Sequence, residues 1–419
     1  MNYLDLFAGA GGLSEGFART GAEGIAHIEL DQYAAQTLET RVAYYYLKTN
    51  NRLNEYRAYQ KTYHLNKKER EIARTAFLET IPKRILDSVI NMEISEESLP
   101  IIFEMINNQL AIRNIDNLDL IIGGPPCQAY SVVGRSRTGK NNENDSRHYL
   151  YKLYVKFLER FRPKAFVFEN VPGIYTAKEG AIFDDVREKL ENAGYSIKAY
   201  DFNALDFGVP QNRKRVIIIG FRNDLMEHDF EMPLNMQNTF EVTEYINDLP
   251  LLKAGETCTS YKYKFEASNA LIHSKIRNND DILTHHVARG HIERDLEIYK
   301  EAVDLWNREG RRLKYSDLRP ELISHKNTSS FLDRFKVVSG DLCYSHTVVA
   351  HISKDGHHYI HPDIAQNRSI TVREAARLQS FPDDYFFEGP RTANFIQIGN
   401  AVPPLMGERI ARWFAQRIR

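Results

Sequence analysis

An α/β fold on a mostly parallel sheet is what this chain predicts, on three observations. Short apolar runs alternate with helical patterns through the first half of the sequence. Several runs end abruptly at glycine, as strands do where the chain must turn. The unusual residues gather just past the run ends, which is where ligands bind in sheets of this kind. With 419 residues, 42% of them hydrophobic, the chain can bury a large core and suits two domains better than one.

The elements follow in order. "YLDLF" (3–7) is a short strand that runs into a glycine turn, and "LSEGFARTG" is a helix ending at Gly21. "GIAHIEL" (24–30) is the second strand and "YAAQTLETRVAYYYL" the second helix. "SVINMEI" (88–94) is a weaker third strand. "LDLIIGG" (118–124), "AFVFEN" (165–170), "SIKAYDFN" (196–203) and "RVIIIGF" (215–221) complete the set. The helical patterns "YLYKLYVKFLERF" and "FDDVREKLENAG" separate them.

Two regions break this rhythm. Residues 41–88 predict one long helical stretch, rich in tyrosine (Tyr44, Tyr45, Tyr46, Tyr56, Tyr59, Tyr63) and carrying Lys67, Lys68, Arg70 and Arg74. It reads either as an extra contact to a polyanion backbone or a partner surface, or as a solvated helical hairpin packed by its tyrosines. From about 222 to 368 the pattern mixes a strand signal ("DGHHYIHP"), an amphipathic helix ("HIERDLEIYKEAVDLWNREG") and polar loops, as an inserted second domain would. "TVREAARLQSFPD" then returns to a clean helix, with a Thr371/Glu374 capping box and a stop at Pro382.

Composition narrows the function classes. A net charge of −1 gives no general affinity for polyanions, so any such partner must meet local patches. No run of about 18 apolar residues exists, so no membrane span is expected. The start "MNYLDLFAGAGG" lacks a signal-peptide pattern, and the expected location is the cytoplasm. Cys127, Cys258 and Cys343 lie too far apart for a disulfide framework or a metal-ligand pair. Histidines cluster at His285, His286 and His291, and at His346, His351, His357, His358 and His361. Their spacing fits no common zinc site, so no metal is expected and they are assigned to the surface or to phosphates of a polyanion partner.

Four places carry chemistry. In "DLFAGAGGL", Gly9, Gly11 and Gly12 let the backbone approach a ligand, and Glu29 at the next strand end can accept from ribose hydroxyls. Together they point to a nucleoside-containing cofactor. In "GGPPCQAYS", Cys127 follows a strand end, and the Pro-Pro step fixes its direction. A polar loop with four basic residues follows, able to close over an anion. A nucleophilic thiolate needs nearby cations, which that loop and "QNRKR" (211–215) supply. "FVFENVPG" sets Glu169 at another strand end, as a general acid or as a structural hydrogen-bond partner. In "GVPQNRKR", Arg213 and Arg215 stand two apart at a strand start, on one face, a pair suited to anionic or carbonyl oxygens.

Taken in order, "DLFAGAGG", "GGPPCQAYS", "ENVPG", "GVPQNRKR", "REAARLQSFPD" and "QIGNAVPP" closely resemble the DNA (cytosine-5) methyltransferases. Order and spacing agree over about six tenths of the chain. The resemblance implies a Rossmann-like S-adenosylmethionine-dependent methyltransferase domain with a mostly parallel sheet, plus a smaller mixed target-recognition domain. The expected divisions are 1–221 for the catalytic domain (helical insertion about 41–88), 222–387 for target recognition, and 388–419 for the return to the catalytic domain. By the same resemblance, Cys127 adds to C6 of cytosine, Glu169 acts on N3, Arg215 holds O2, and Arg213 supports that site. S-adenosyl-L-methionine is the implied methyl donor. Its expected surroundings are Phe7, Ala8, Gly9, Ala10, Gly11, Gly12 and Leu13, then Glu29, Leu30, Glu93, Pro126, Leu150, Asn400 and Ala401. Leu30 stands where several members carry an aromatic residue that stacks on adenine. The implied partner is double-stranded DNA, with base flipping. Gln128 and Ser131 are expected beside the nucleophile, and Arg135, Arg137 and Arg147 on phosphates. A bacterial restriction or defence system is the expected setting, with cognate proteins as possible partners.

Three rivals stand against this reading. A cytosine-5 methyltransferase of RNA would not need an insert of roughly 145 residues. An exocyclic-amine methyltransferase would carry a D/S/N-PP-Y motif in place of "PPCQ". A silent DNA-binding module would not need Cys127, Glu169 and Arg215 together.

Overall fold

The computed structural model describes residues 1–126, 149–225, 230–232, 236–324 and 331–418. Its centre is a seven-stranded sheet of β1 (Asn2–Leu6), β2 (Glu23–Glu29), β3 (Val89–Asn91), β4 (Leu120–Gly123), β5 (Ala165–Asn170), β6 (Tyr195–Asn203) and β8 (Lys214–Arg222), with β7 (Gln211–Asn212) outside it. The spatial order is β3-β2-β1-β4-β5-β8-β6. Strands β1 to β5 pair in parallel, whereas β8 runs antiparallel to both β5 and β6. The reversal has a simple cause. The link from β6 to β8 is a short 3-10 turn (Ala204–Phe207) and β7, which leaves no room for the helical crossover a parallel pair needs.

Side chains alternate between two cores, as the strand period requires. Leu4, Leu6, Ile121, Phe166, Phe168 and Ile218 face one layer, which includes the helices Leu99–Ile112, Leu150–Phe161 and Ala181–Asn192. Tyr3, Leu120, Ile122, Val167, Ile217 and Ile219 face the other, with the first helix (Gly12–Ala18) and the last (Pro404–Ala415). Among the described residues no helix is long and apolar enough to cross a membrane.

Three details differ from the expected elements. The stretch 41–88 is not one helix. It begins inside the helix Gln32–Thr49 and continues as Leu53–Gln60, Lys67–Glu79 and Lys83–Leu86. Asn51 breaks it in a left-handed conformation, and Asn66 restarts it through a capping box with Glu69. Its tyrosines do pack, but against a distant segment as well as within the stretch: Tyr44, Tyr56 and Tyr59 are buried with Phe77 and Phe386. "DGHHYIHP" forms only isolated bridges at Ile360, to Val337 and Ser369. The amphipathic helix is present as Glu293–Glu309.

The histidine assignment is corrected as well. His285, His286 and His361 are buried, and burial lowers the pKa of each. His285 Nε2 bonds the Phe387 carbonyl at 2.9 Å and His286 Nε2 the Pro250 carbonyl at 2.8 Å. They stitch loops together instead of meeting solvent or phosphate.

The helix Val372–Leu378 has the expected capping box. Its Arg377 turns inward and bridges Asp248 and Asp383, and Arg368, ahead of the helix, holds Glu374 at 2.7 Å. The segment 371–387, grouped above with target recognition, also packs on the first two helices. Arg41 reaches Asp384 at 2.9 Å, and the Tyr385 hydroxyl donates to the Ala10 carbonyl.

Candidate active site

The parallel strands β1, β2, β4 and β5 end at one edge of the sheet, and the antiparallel β8 begins there. Pairing of Asn170 with Val216 sets Arg215 beside the end of β5. Glu169 and Arg215 meet at 2.7 Å, each about one-eighth exposed. Gly124, just past β4, completes this corner: a Cβ there would lie 2.4 Å from Glu169 Oε2. Gly123 is equally constrained, since a Cβ on it would stand 2.2 Å from the Leu6 carbonyl oxygen. Both glycines are therefore matters of space. The chain then passes through Pro125 and the exposed Pro126. Cys127, Gln128, Ser131, Arg135, Arg137 and Arg147 lie outside the described residues.

Arg213 does not share a face with Arg215. It is fully buried, and its guanidinium donates to the carbonyls of Val348 (2.7 Å), Gly399 (2.9 Å) and Ala401 (3.0 Å). Burial, and then Arg215 beside it, hold its pKa well below the ordinary guanidinium value. The residue sits between β7 and β8, so strand alternation does not apply to it. It ties the segments carrying Val348, Gly399 and Ala401 to the strand that carries Arg215.

The glycine loop forms a cradle at the end of β1. Phe7 and Gly9 have positive φ (56° each) and Gly11 has φ 78°, which turns the chain tightly into the first helix. The Gly9 amide donates to Glu29 Oε2 and the Asp31 amide to Oε1, both at 2.7 Å. Burial raises the pKa of Glu29, and those two hydrogen bonds oppose it. A Cβ on Gly9 would meet nothing within 4 Å, so the space above the loop is open. Leu30, next to Glu29, is 61% exposed. Glu93 is exposed just past β3. Ala8 is tied to the Ile28 carbonyl. Ala10, Gly12 and Leu13 contribute backbone only, because Ala10 and Leu13 are buried and a Cβ on Gly12 would strike the Val402 carbonyl at 2.2 Å. Pro126 and Leu150 line a recess with Phe168 and Asn170. Asn400 is exposed at a helix end, and the buried Ala401 accepts from Arg213 and Gln379.

Several residues of this framework were not singled out in the sequence. The Asn91 amide donates to the carbonyls of Glu29 (2.9 Å) and Leu30 (3.0 Å) and so fixes the strand end. Gln211 donates to Gln379 Oε1 (2.5 Å) and accepts from the Val348 amide (3.0 Å), and Gln379 continues to the Ala401 carbonyl (2.6 Å). The available signal was a polar side chain inside an otherwise apolar or motif-bearing run.

Comparison with known proteins agrees with this geometry. The profile of the family "C-5 cytosine-specific DNA methylase" matches residues 1–72 and 100–415. A type II methyltransferase, M.Bpa9945I of Bacillus paralicheniformis, is 42% identical over 98% of both chains. M.DdeI of Desulfomicrobium norvegicum, also a type II methyltransferase, is 29% identical over 100% of this chain and 90% of its own. Among solved structures, a candidate DNA modification methyltransferase encoded within an E. coli prophage superposes with a TM-score of 0.64 at 23% identity, covering 99% of each chain. On its sequence match and on the sheet just described, the chain belongs to the C-5 cytosine-specific DNA methylase family.

Proposed function

We propose that this protein transfers a methyl group from S-adenosyl-L-methionine to C5 of a cytosine flipped out of a specific duplex DNA sequence, as the modification enzyme of a bacterial restriction or defence system. The observation that carries the reading is the Glu169–Arg215 pair, held at 2.7 Å over Gly124, three residues ahead of Cys127 in the sequence. A carboxylate and a guanidinium so placed match the N3 and O2 of a cytosine ring. The Cys127 thiolate adds to C6 and makes C5 electron-rich. Glu169 hydrogen-bonds or protonates N3, and Arg215 neutralises charge developing at O2. After transfer, loss of the C5 proton expels the thiolate and restores the aromatic ring. Arg213 acts as a positioning residue, through the loops it ties. Gln128, Ser131, Arg135, Arg137 and Arg147 are assigned to the DNA.

The cradle fits the donor. The open space over Gly9, the carboxylate of Glu29 and the exposed Leu30 suit a nucleoside with ribose hydroxyls and an apolar base face. S-adenosyl-L-methionine, when bound, supplies an electrophilic methyl group. Glu29 would hold the ribose, Glu93 the adenine edge, and Asn400 would lie toward the methionine end. The enzyme would act in the cytoplasm, where bacterial DNA lies, alongside a cognate restriction or defence protein. Sequencing modified cytosines in mixed-sequence DNA exposed to the enzyme tests the reading. The expected result is 5-methylcytosine in one recurring context. Methyl groups on exocyclic nitrogens, or on RNA alone, would overturn it.

A further inference from the structure

The helices Leu53–Gln60 and Lys67–Glu79 take no part in the chemistry above. Their outer face is mixed in sign, with Lys67 and Lys68 beside Glu69 and Glu71, and Lys67 pairing with Glu71. Their inner face grips one short segment, 384–388. The Tyr56 hydroxyl donates to the Asp384 carbonyl and the Tyr59 hydroxyl to the buried Glu388 carboxylate, both at 2.6 Å. Tyr59 also stacks on Phe77, with ring centres 4.5 Å apart, and packs on Phe386 at 5.2 Å. From the preceding helix, Tyr44 and Arg41 hold the Asp384 carboxylate at 2.6 and 2.9 Å, and Arg41 continues to Glu15 beside the cofactor loop. Within the gripped segment, Tyr385 donates its hydroxyl to the Ala10 carbonyl, and its oxygen lies 3.1 Å from where a Cβ on Gly11 would be. The far end of the insertion meets the second domain, with Arg57 on Asp280 at 3.2 Å and Tyr63 against His285 at 4.6 Å.

We propose that the insertion is a brace that presses segment 384–388 onto the cofactor loop, and that Tyr385 is the positioning residue through which it acts. The inference rests on the reading of that loop as the S-adenosyl-L-methionine site. Elsewhere the loop is held by the Gly9 amide on Glu29 and the Ala8 amide on the Ile28 carbonyl. Its turn depends on positive-φ backbone at Phe7, Gly9 and Gly11, a shape that needs support from its surroundings.

The test uses the full chain without DNA, with S-adenosyl-L-homocysteine as the calorimetric probe. Tyr385→Phe and the double variant Tyr56→Phe/Tyr59→Phe keep the packed rings and remove only hydroxyls. Tyr385→Phe is expected to raise the Kd for the probe about 5-fold, the usual scale for one lost hydrogen bond, and the double variant, which loses two bonds at one remove from the loop, by about the same factor. Combined, the two sets should give less than the product of their separate effects, because they act along one route. The salt slope of duplex binding should stay at the parent value, and Lys67→Ala/Lys68→Ala should leave it there too. Unchanged probe affinity in folded variants, fully multiplicative effects, or a shallower slope in the lysine variant would each overturn the brace. A parent protein that fails to bind the probe would overturn the cofactor reading itself, and the brace with it.

Discussion

Gly124→Ala isolates the geometry of the Glu169–Arg215 pair. The added Cβ would lie 2.4 Å from Glu169 Oε2, and ordinary contact begins near 3.4 Å, so the oxygen must retreat by about 1 Å. That oxygen ends a flexible side chain, so the fold can absorb the change by rotating the carboxylate. The next nearest atom, the Glu169 carbonyl oxygen at 3.2 Å, asks for only about 0.2 Å by the same comparison. A catalytic group displaced by about 1 Å loses on the order of 100-fold in rate. Single-turnover transfer of a radiolabelled methyl group to duplex DNA should therefore slow about 100-fold. The melting temperature and the affinity for S-adenosyl-L-homocysteine should stay near the parent's. A variant that transfers at the parent rate would show that the position of the Glu169 carboxylate is not critical to the chemistry.

Two further outcomes follow from buried groups. Arg213→Met removes the donor for three carbonyls, at about 1 kcal/mol each, so denaturant unfolding should show a loss of about 3 kcal/mol; no loss would mean those carbonyls find other partners. Acid should destabilise the fold through His286, which burial pulls from 6.5 to about 4. Between those values the unfolded chain binds the proton and the folded one does not, so stability falls as pH drops below about 6.5 and stops falling from this group near 4. The shift corresponds to about 3 kcal/mol. Urea midpoints measured from pH 7.5 to 4.5 should decline with a slope that His286→Gln flattens, and an equal slope in the variant would count against the assignment.

The sheet was legible because its central strands β4, β5 and β8 are apolar on both faces, and β5 was bounded in the sequence as it stands in the structure. The reversed β8 was not, since strand direction depends on the length of a connection and apolarity is blind to it. Glu169, Arg215 and Glu29 were legible as polar residues at strand ends, where the sheet concentrates function. Arg213 was misread by applying strand alternation one residue too early. The histidines misled for another reason: spacing in sequence says nothing about burial, and tertiary contacts to Pro250 and Phe387 decide their state. In the insertion the tyrosines were visible, but their partners lie more than 300 positions away, at 384–388. No local pattern records such a contact.

The proposed chemistry turns on covalent catalysis by Cys127, aided by Glu169 and Arg215. A duplex carrying 5-fluorocytosine at the methylated position blocks the final loss from C5 and so traps the adduct. With S-adenosyl-L-methionine present, the parent protein should form a complex stable to denaturing electrophoresis, and Cys127→Ser should form none and transfer no methyl group. A Cys127→Ser protein that methylates DNA at the parent rate would contradict the account.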